Sequence, residues 1–313
     1  MPTNQSDFDT VTAPAIVRAK AKLQEILNPI RAKVNLVYCL GLAGMVLFSI
    51  PFAWAARFQF PFAYFPVVII LFGAFRAKKE LRRTFRQDHY EDELRALEHE
   101  PQNADDHIVR ARVLSGLDFP EAALPDIRKA LDMEPNNAVY RDDMVRVLWF
   151  QMKDGERALP YVEKLCEIQG DDQADAFMYH GEILTKADPD AALKSFDRAI
   201  EIDPDDSDYP LARLRFFIET GQLDKATDYL PEVAAAVKRA GSYGQGTLLE
   251  LRAKLAFEQG DAKTAVKLVS QAIRLSPQNK EFYTLRADAY HLLGEYGKAE
   301  ADREKAEKMK DTK

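Results

Sequence analysis

The 313-residue sequence predicts an all-α fold in two parts, a membrane helical hairpin followed by a solenoid of paired helices. Three observations carry this reading. Residues 34–75 hold a single charge, Arg57; alanines recur every 34 to 39 residues beyond them; and charge is segregated along the chain. Residues 1–80 hold nine Lys or Arg against four acids, a balance of +5, which leaves −12 for the remainder. An acidic larger part argues against nucleic acid as its partner. With 47% hydrophobic residues the chain has enough apolar surface for a core, and two distant cysteines, Cys39 and Cys166, make no disulfide framework.

Four segments follow: a tail with an amphipathic juxtamembrane helix (1–33), the hairpin (34–75), a connecting or capping helix (76–103) and the paired helices (104–313). From Val34 to Ala56 the chain runs 23 residues without a charge, enough for a helix to cross a hydrocarbon core of about 30 Å. Phe60 to Phe75 gives 16 more, about 24 Å of helix, which either crosses with its flanking arginines reaching outward or returns as a re-entrant arm. Basic residues Arg31 and Lys33 precede the hairpin, and Arg76, Lys78 and Lys79 follow it. By the positive-inside rule both termini and the paired helices face the cytoplasm, with residues 34–75 in contact with membrane lipids. The apolar stretch begins too far from the amino terminus for a cleaved signal peptide.

Upstream, Ile16, Val17, Leu23, Ile26, Leu27 and Ile30 recur at helical spacing among Arg18, Lys20, Lys22 and Arg31. Such a stretch lies either on an anionic membrane surface or against the rest of the protein. Downstream, Leu81, Phe85, Leu94 and Leu97 keep a helical period without glycine or proline, which predicts a helix that caps the first repeat.

The repeat is carried by Ala123, Ala158, Ala192, Ala226, Ala265 and Ala299 and by recurring phrases, ALPDIRKALDMEP (123–135), ALKSFDRAIEIDP (192–204) and AVKLVSQAIRLSP (265–277). Small residues Ala111, Gly181, Ala253 and Ala287 precede them, with Phe177, Phe196, Phe217, Tyr283 and Tyr290 to fill the space between helices. Gly221, Gly260 and Gly294 mark where first helices stop.

This period and these phrases resemble the tetratricopeptide repeat family, over roughly residues 104–313. The resemblance implies a right-handed α-solenoid of six units, at about 104–135, 137–170, 174–204, 207–244, 247–277 and 280–313. The second unit departs from the pattern, with Leu165 where its neighbours have alanine. The fourth is longer and ends AAAVKRAGSYGQG (234–246), which reads as an extended second helix followed by a hinge or a longer loop at 241–246.

Chemistry is sparse. There is no HExxH, GxSxG or phosphate loop, GSYGQG (241–246) follows no strand, and His89, His99, His107, His180 and His291 have no ligand spacing. Asp203, Asp205, Asp206 and Asp208 read as helix-start capping rather than calcium ligands. No enzyme, cofactor or metal is expected. In the family the first helices line a groove for peptides or a partner's helix. The register then implies Arg112, Asp143, Met178, Glu182, Arg215, Ile218, Glu250, Lys254, Phe257, Thr284 and Asp288 as groove residues. Ile108 and Asp143 replace the lysine and asparagine of the carboxylate clamp found in some relatives. The expectation is a membrane-anchored scaffold for a protein or peptide, favoured to carry a basic patch. The alternative is a permanent subunit of a membrane-bound secretion or envelope-assembly complex.

Overall fold

The computed structural model describes residues 11–55, 87–169, 174–240 and 244–309, without the side chains of 37, 38, 40–55, 87 and 169. The regular structure of the described residues is helical throughout. The chain divides into two compact units, Met1–Met152 and Lys153–Lys313. That division falls inside the second predicted repeat.

The first unit holds α1 (Ala13–Ala55), α2 (Gln87–Glu98), α3 (Ala104–Gly116), α4 (Pro120–Met133) and α5 (Ala138–Val145), the last prolonged by a π-helical turn, Arg146–Gln151. The second holds α6 (Gly155–Gln169), α7 (Ala174–Leu184), α8 (Pro189–Ile202), α9 (Asp208–Glu219), α10 (Leu223–Arg239), α11 (Gln245–Glu258), α12 (Ala262–Leu275), α13 (Lys280–Leu292) and α14 (Tyr296–Lys308). From α3 onward the helices follow one another as short segments of 8 to 17 residues. The longer second helix of the fourth unit is there as α10, of 17 residues.

Local chemistry explains where these helices begin. Asn103, Asn137, Asp188, Asp261 and Asn279 each accept a backbone N–H of the first turn that follows, and Pro120 and Pro189 open helices where no amide partner is needed. First helices stop on left-handed residues: Gly221, Gly260 and Gly294 as the sequence predicts, and also Asp118 (φ 72°) and Lys153 (φ 58°). At these stops the chain folds back on itself, as where the Asp261 N–H donates to Ala256 O at 2.8 Å.

Close approach explains the alanines. Ala123, Ala158, Ala192, Ala226, Ala265 and Ala299 are all buried, as are Ala111, Ala253 and Ala287. At Gly181 a methyl group would sit 2.8 Å from the Phe196 ring, so the small residue sets how near α7 and α8 come. In the second unit the core runs through Phe196, Phe216, Phe217 and Tyr229, with successive ring centroids 5.6, 5.6 and 5.9 Å apart.

The amino-terminal segment differs from its predicted division at residue 33. The amphipathic stretch and the start of the first apolar arm are one continuous helix, α1. Ala15, Ala19, Leu23, Leu27 and Val34 form a buried stripe along it, packed on α2 and α3. Three of its cations are engaged by protein. Lys22 Nζ donates to Leu117 O at 2.9 Å, Arg18 lies over the Phe119 ring and Arg31 Nε donates to Glu91 Oε1 at 3.2 Å. Of the two readings left open for this stretch, packing on the rest of the protein is the one realised by residues 15–34. Helix α2 packs on both α1 and α3, the capping position expected of it.

For the hairpin predicted over 34–75, the backbone is described to Ala55, while residues 56–86, with the second arm and Arg76, Lys78 and Lys79, lie outside the described residues. Among the described residues no helix is long and apolar enough to cross a membrane. The hairpin therefore rests on the sequence alone.

Candidate functional site

First helices α3, α5, α7, α9, α11 and α13 carry the groove candidates, and the two units are taken in turn. In the first unit, Arg112 of α3 grips Asp143 of α5 with a forked pair of bonds, Nη2 to Oδ2 at 2.7 Å and Nε to Oδ1 at 3.0 Å. The bonds to Asp143 hold the Arg112 guanidinium above its ordinary range. A second tie joins the same helices: Tyr140 Oη donates to Asp105 Oδ1 at 2.6 Å, which pushes the phenol up to about 12.

The second unit repeats this arrangement. Arg215 of α9 pairs with Glu182 of α7 at 3.4 Å, and Tyr209 Oη donates to Asp175 Oδ1 at 3.1 Å. Burial, then Asp175, raise the Tyr209 phenol. Lys254 pairs with Glu250 one turn earlier at 2.6 Å, and Arg303 pairs with Asp288 at 3.3 Å. Thr284 is exposed, whereas Met178 and Phe257 are half-buried and pack on core clusters. Ile218, expected at the groove, is 8% exposed and belongs to the core with Phe217 and Leu214.

Each of the candidate carboxylates, Asp143, Glu182, Glu250 and Asp288, thus already has a cation of the same chain. The balance of −12 beyond residue 80 suggested a basic partner because it counted charges without their pairings. In each unit these acids are paired locally, and the preference for a basic patch loses its footing.

Sequence reading missed the buried ties within pairs. Asp126 of α4 has no exposure and accepts from Arg110 Nε at 2.8 Å and Nη2 at 2.7 Å, with His107 Nδ1 2.7 Å away. Asp302 of α14 accepts from Arg286 in the same forked manner, both bonds 2.7 Å. Both pairs have the arginine thirteen residues before the register alanine and the aspartate three after it. Aligning the first and last repeats on Ala123 and Ala299 exposes the coincidence.

The aspartates of the 203–208 turn act locally, as expected. Asp203 Oδ1 accepts the N–H of Asp205 at 3.1 Å and of Asp206 at 3.3 Å, and Asp206 Oδ1 that of Asp208 at 2.8 Å. Of the proposed joint at 241–246, residues 241–243 lie outside the described ones, and Gly244 opens α11 with φ 75°.

Comparison with known proteins agrees with this construction. Residues 251–311 match the sequence profile of the tetratricopeptide repeat. A stretch of 58 residues is 47% identical to a protein SGT1 homolog of Oryza sativa subsp. japonica, covering 18% of this chain and only 16% of that protein. Among solved structures, a tetratricopeptide repeat protein from Parabacteroides merdae superposes with a TM-score of 0.61 at 17% identity, over 88% of this chain and 95% of the other. PilW, a type IV pilus biogenesis factor, gives 0.53 at 16% identity over 66% of this chain and 93% of its own. Such identities bear on fold alone. The sequence match to the tetratricopeptide repeat is thus confined to residues 251–311, and the chain as a whole shares its all-α fold with tetratricopeptide repeat structures.

Proposed function

We propose that the chain is a non-enzymatic scaffold that binds a protein or peptide on the outward faces of its first helices and is held at a membrane by residues 34–75. The observation that carries the binding reading is the repeat. Each pair spends its apolar faces on its neighbours, which leaves exposed first-helix positions such as Thr284 without a packing role. The paired charges along those faces present a surface of mixed sign that suits a protein segment. Membrane attachment is supported by the uncharged run of sequence from Val34 to Ala56. The positive-inside pattern favours a cytoplasmic scaffold.

A second reading, a permanent subunit of a membrane-bound secretion or envelope-assembly complex, shares the anchored scaffold. It draws on the fold shared with PilW, itself a pilus biogenesis factor.

One experiment addresses both. The full chain, a variant lacking residues 34–75 and Thr284→Arg are purified from membranes in mild detergent, with neighbours identified by cross-linking. The expected outcome is that the deletion abolishes sedimentation with membranes, while Thr284→Arg keeps sedimentation and loses its cross-linked protein. A partner that exchanges on dilution indicates a recruiter, and one that co-purifies stably a fixed subunit. Full-length chain that stays in the supernatant overturns the anchor, and unchanged cross-links in Thr284→Arg overturn the binding face.

A further inference from the structure

An open cavity of about 550 Å³ in the second unit lies among α6, α7 and α8. It falls in the range of about 300–1,000 Å³ typical of small-ligand pockets. Glu163 and Glu167 line it from α6, and Lys194 and Arg198 from α8. Phe177 and His180 come from α7, which packs against both of those helices. Leu165, the large residue that breaks the alanine pattern of the repeats, belongs to the same helix α6 and is fully buried.

Two of the four charges are spent along their own helices. Lys164 Nζ donates to Glu167 at 2.6 Å, and Arg198 Nη1 to Glu201 at 2.9 Å. Glu163 and Lys194, both exposed, have no ion pair among the described residues, so one free charge of each sign remains, on different helices. His180 is fixed by a short chain of bonds. The hydroxyl oxygen of Ser195, 6% exposed, lies 3.0 Å from Ala191 O. The His180 Nδ1 lies 2.8 Å from that hydroxyl oxygen, within hydrogen-bond distance. Burial holds this imidazole below its ordinary range, against a smaller opposing pull from Glu163. Cys166 also lines the cavity, and burial pushes its thiol up to about 12, which makes it a weakly polar surface rather than a nucleophile.

We infer that this cavity binds an amphoteric ligand, with a cation met by Glu163 and a carboxylate met by Lys194, flanking an apolar group against Phe177. A ligand of one sign is repelled by whichever of the two charges it resembles, so neither a simple cation nor a simple anion gains both contacts. Two sources supply this chemistry: the free termini of a short peptide, or lysine and glutamate side chains on either side of an apolar residue in a partner chain. None of the lining residues belongs to the candidate groove, so this site does not depend on the function proposed above.

The test uses the full chain with Cys39→Ser, which leaves Cys166 as its one thiol. Calorimetric titrations use two probes, the dipeptide Ala-Phe with free termini and the capped tripeptide acetyl-Lys-Phe-Glu-amide. At least one is expected to bind in the millimolar range or tighter and to slow alkylation of Cys166 in alkaline buffer. Glu163→Gln and Lys194→Gln are each expected to weaken that binding several-fold, while Lys267→Gln, an exposed cation elsewhere, leaves it unchanged. Binding of the dipeptide identifies free termini as the source, and binding of the tripeptide identifies side chains. No binding of either probe, or undiminished binding by either pocket variant, overturns the assignment.

Discussion

Gly260 ends α11 with φ 82°, and a methyl group added there would meet nothing within 4 Å. Any loss in Gly260→Ala therefore comes from the backbone alone, because an L-residue in that conformation brings its Cβ against the following carbonyl at a cost of about 1 kcal/mol. Urea unfolding is expected to show a loss of that size. Asp118 and Lys153 hold the same conformation without being glycine, which is why the stops of the first two repeats were invisible in the sequence. His180 adds a pH dependence. Its folded-state pKa is depressed by burial, whereas the unfolded chain takes up a proton near the ordinary imidazole value of about 6.5. As pH falls through that value the unfolded state binds more protons, so acid lowers stability. His180→Gln is expected to narrow the gap in melting temperature between neutral and mildly acidic buffer; an unchanged gap would show that this ring carries none of it.

Helix α1 shows what an amphipathic stripe does and does not tell. The spacing of Leu23 and Leu27 predicts that one face is covered, yet the same spacing serves lipid and protein alike. The choice was settled by α2 and α3, whose surfaces only the folded chain brings into place. Leu23 is fully buried, so Leu23→Ala is expected to cost about 2–4 kcal/mol in the first unit, read from urea unfolding monitored by Trp149 fluorescence. Arg31→Ala, which removes a half-exposed ion pair to Glu91, should cost less than about 1 kcal/mol. The reverse ranking would mean that charge rather than burial holds α1. The helical repeat itself was legible, because close packing demands a small side chain at a fixed interval and that interval is written in the alanines. The ties across pairs were not, since Arg112 and Asp143 become neighbours only once two helices stand side by side.

For the molecule as a whole, net charge proved a poor guide to the character of the candidate face. Summed over the sequence the acids outnumber the bases, 50 to 43, but what a partner meets is set by which of them already hold one another. Composition and period were enough to indicate an all-α repeat. The cavity among α6, α7 and α8 was not legible, since its lining comes from three helices at positions with no shared spacing. The Arg112–Asp143 and Arg215–Glu182 clasps lend the first-helix faces one further property. On the proposed binding reading, a visiting chain would find no vacant charge at these rungs and would have to trade places with a resident side chain or rest on both at once. Recognition there would then be an exchange of partners, governed more by the shape of the visitor than by its net sign.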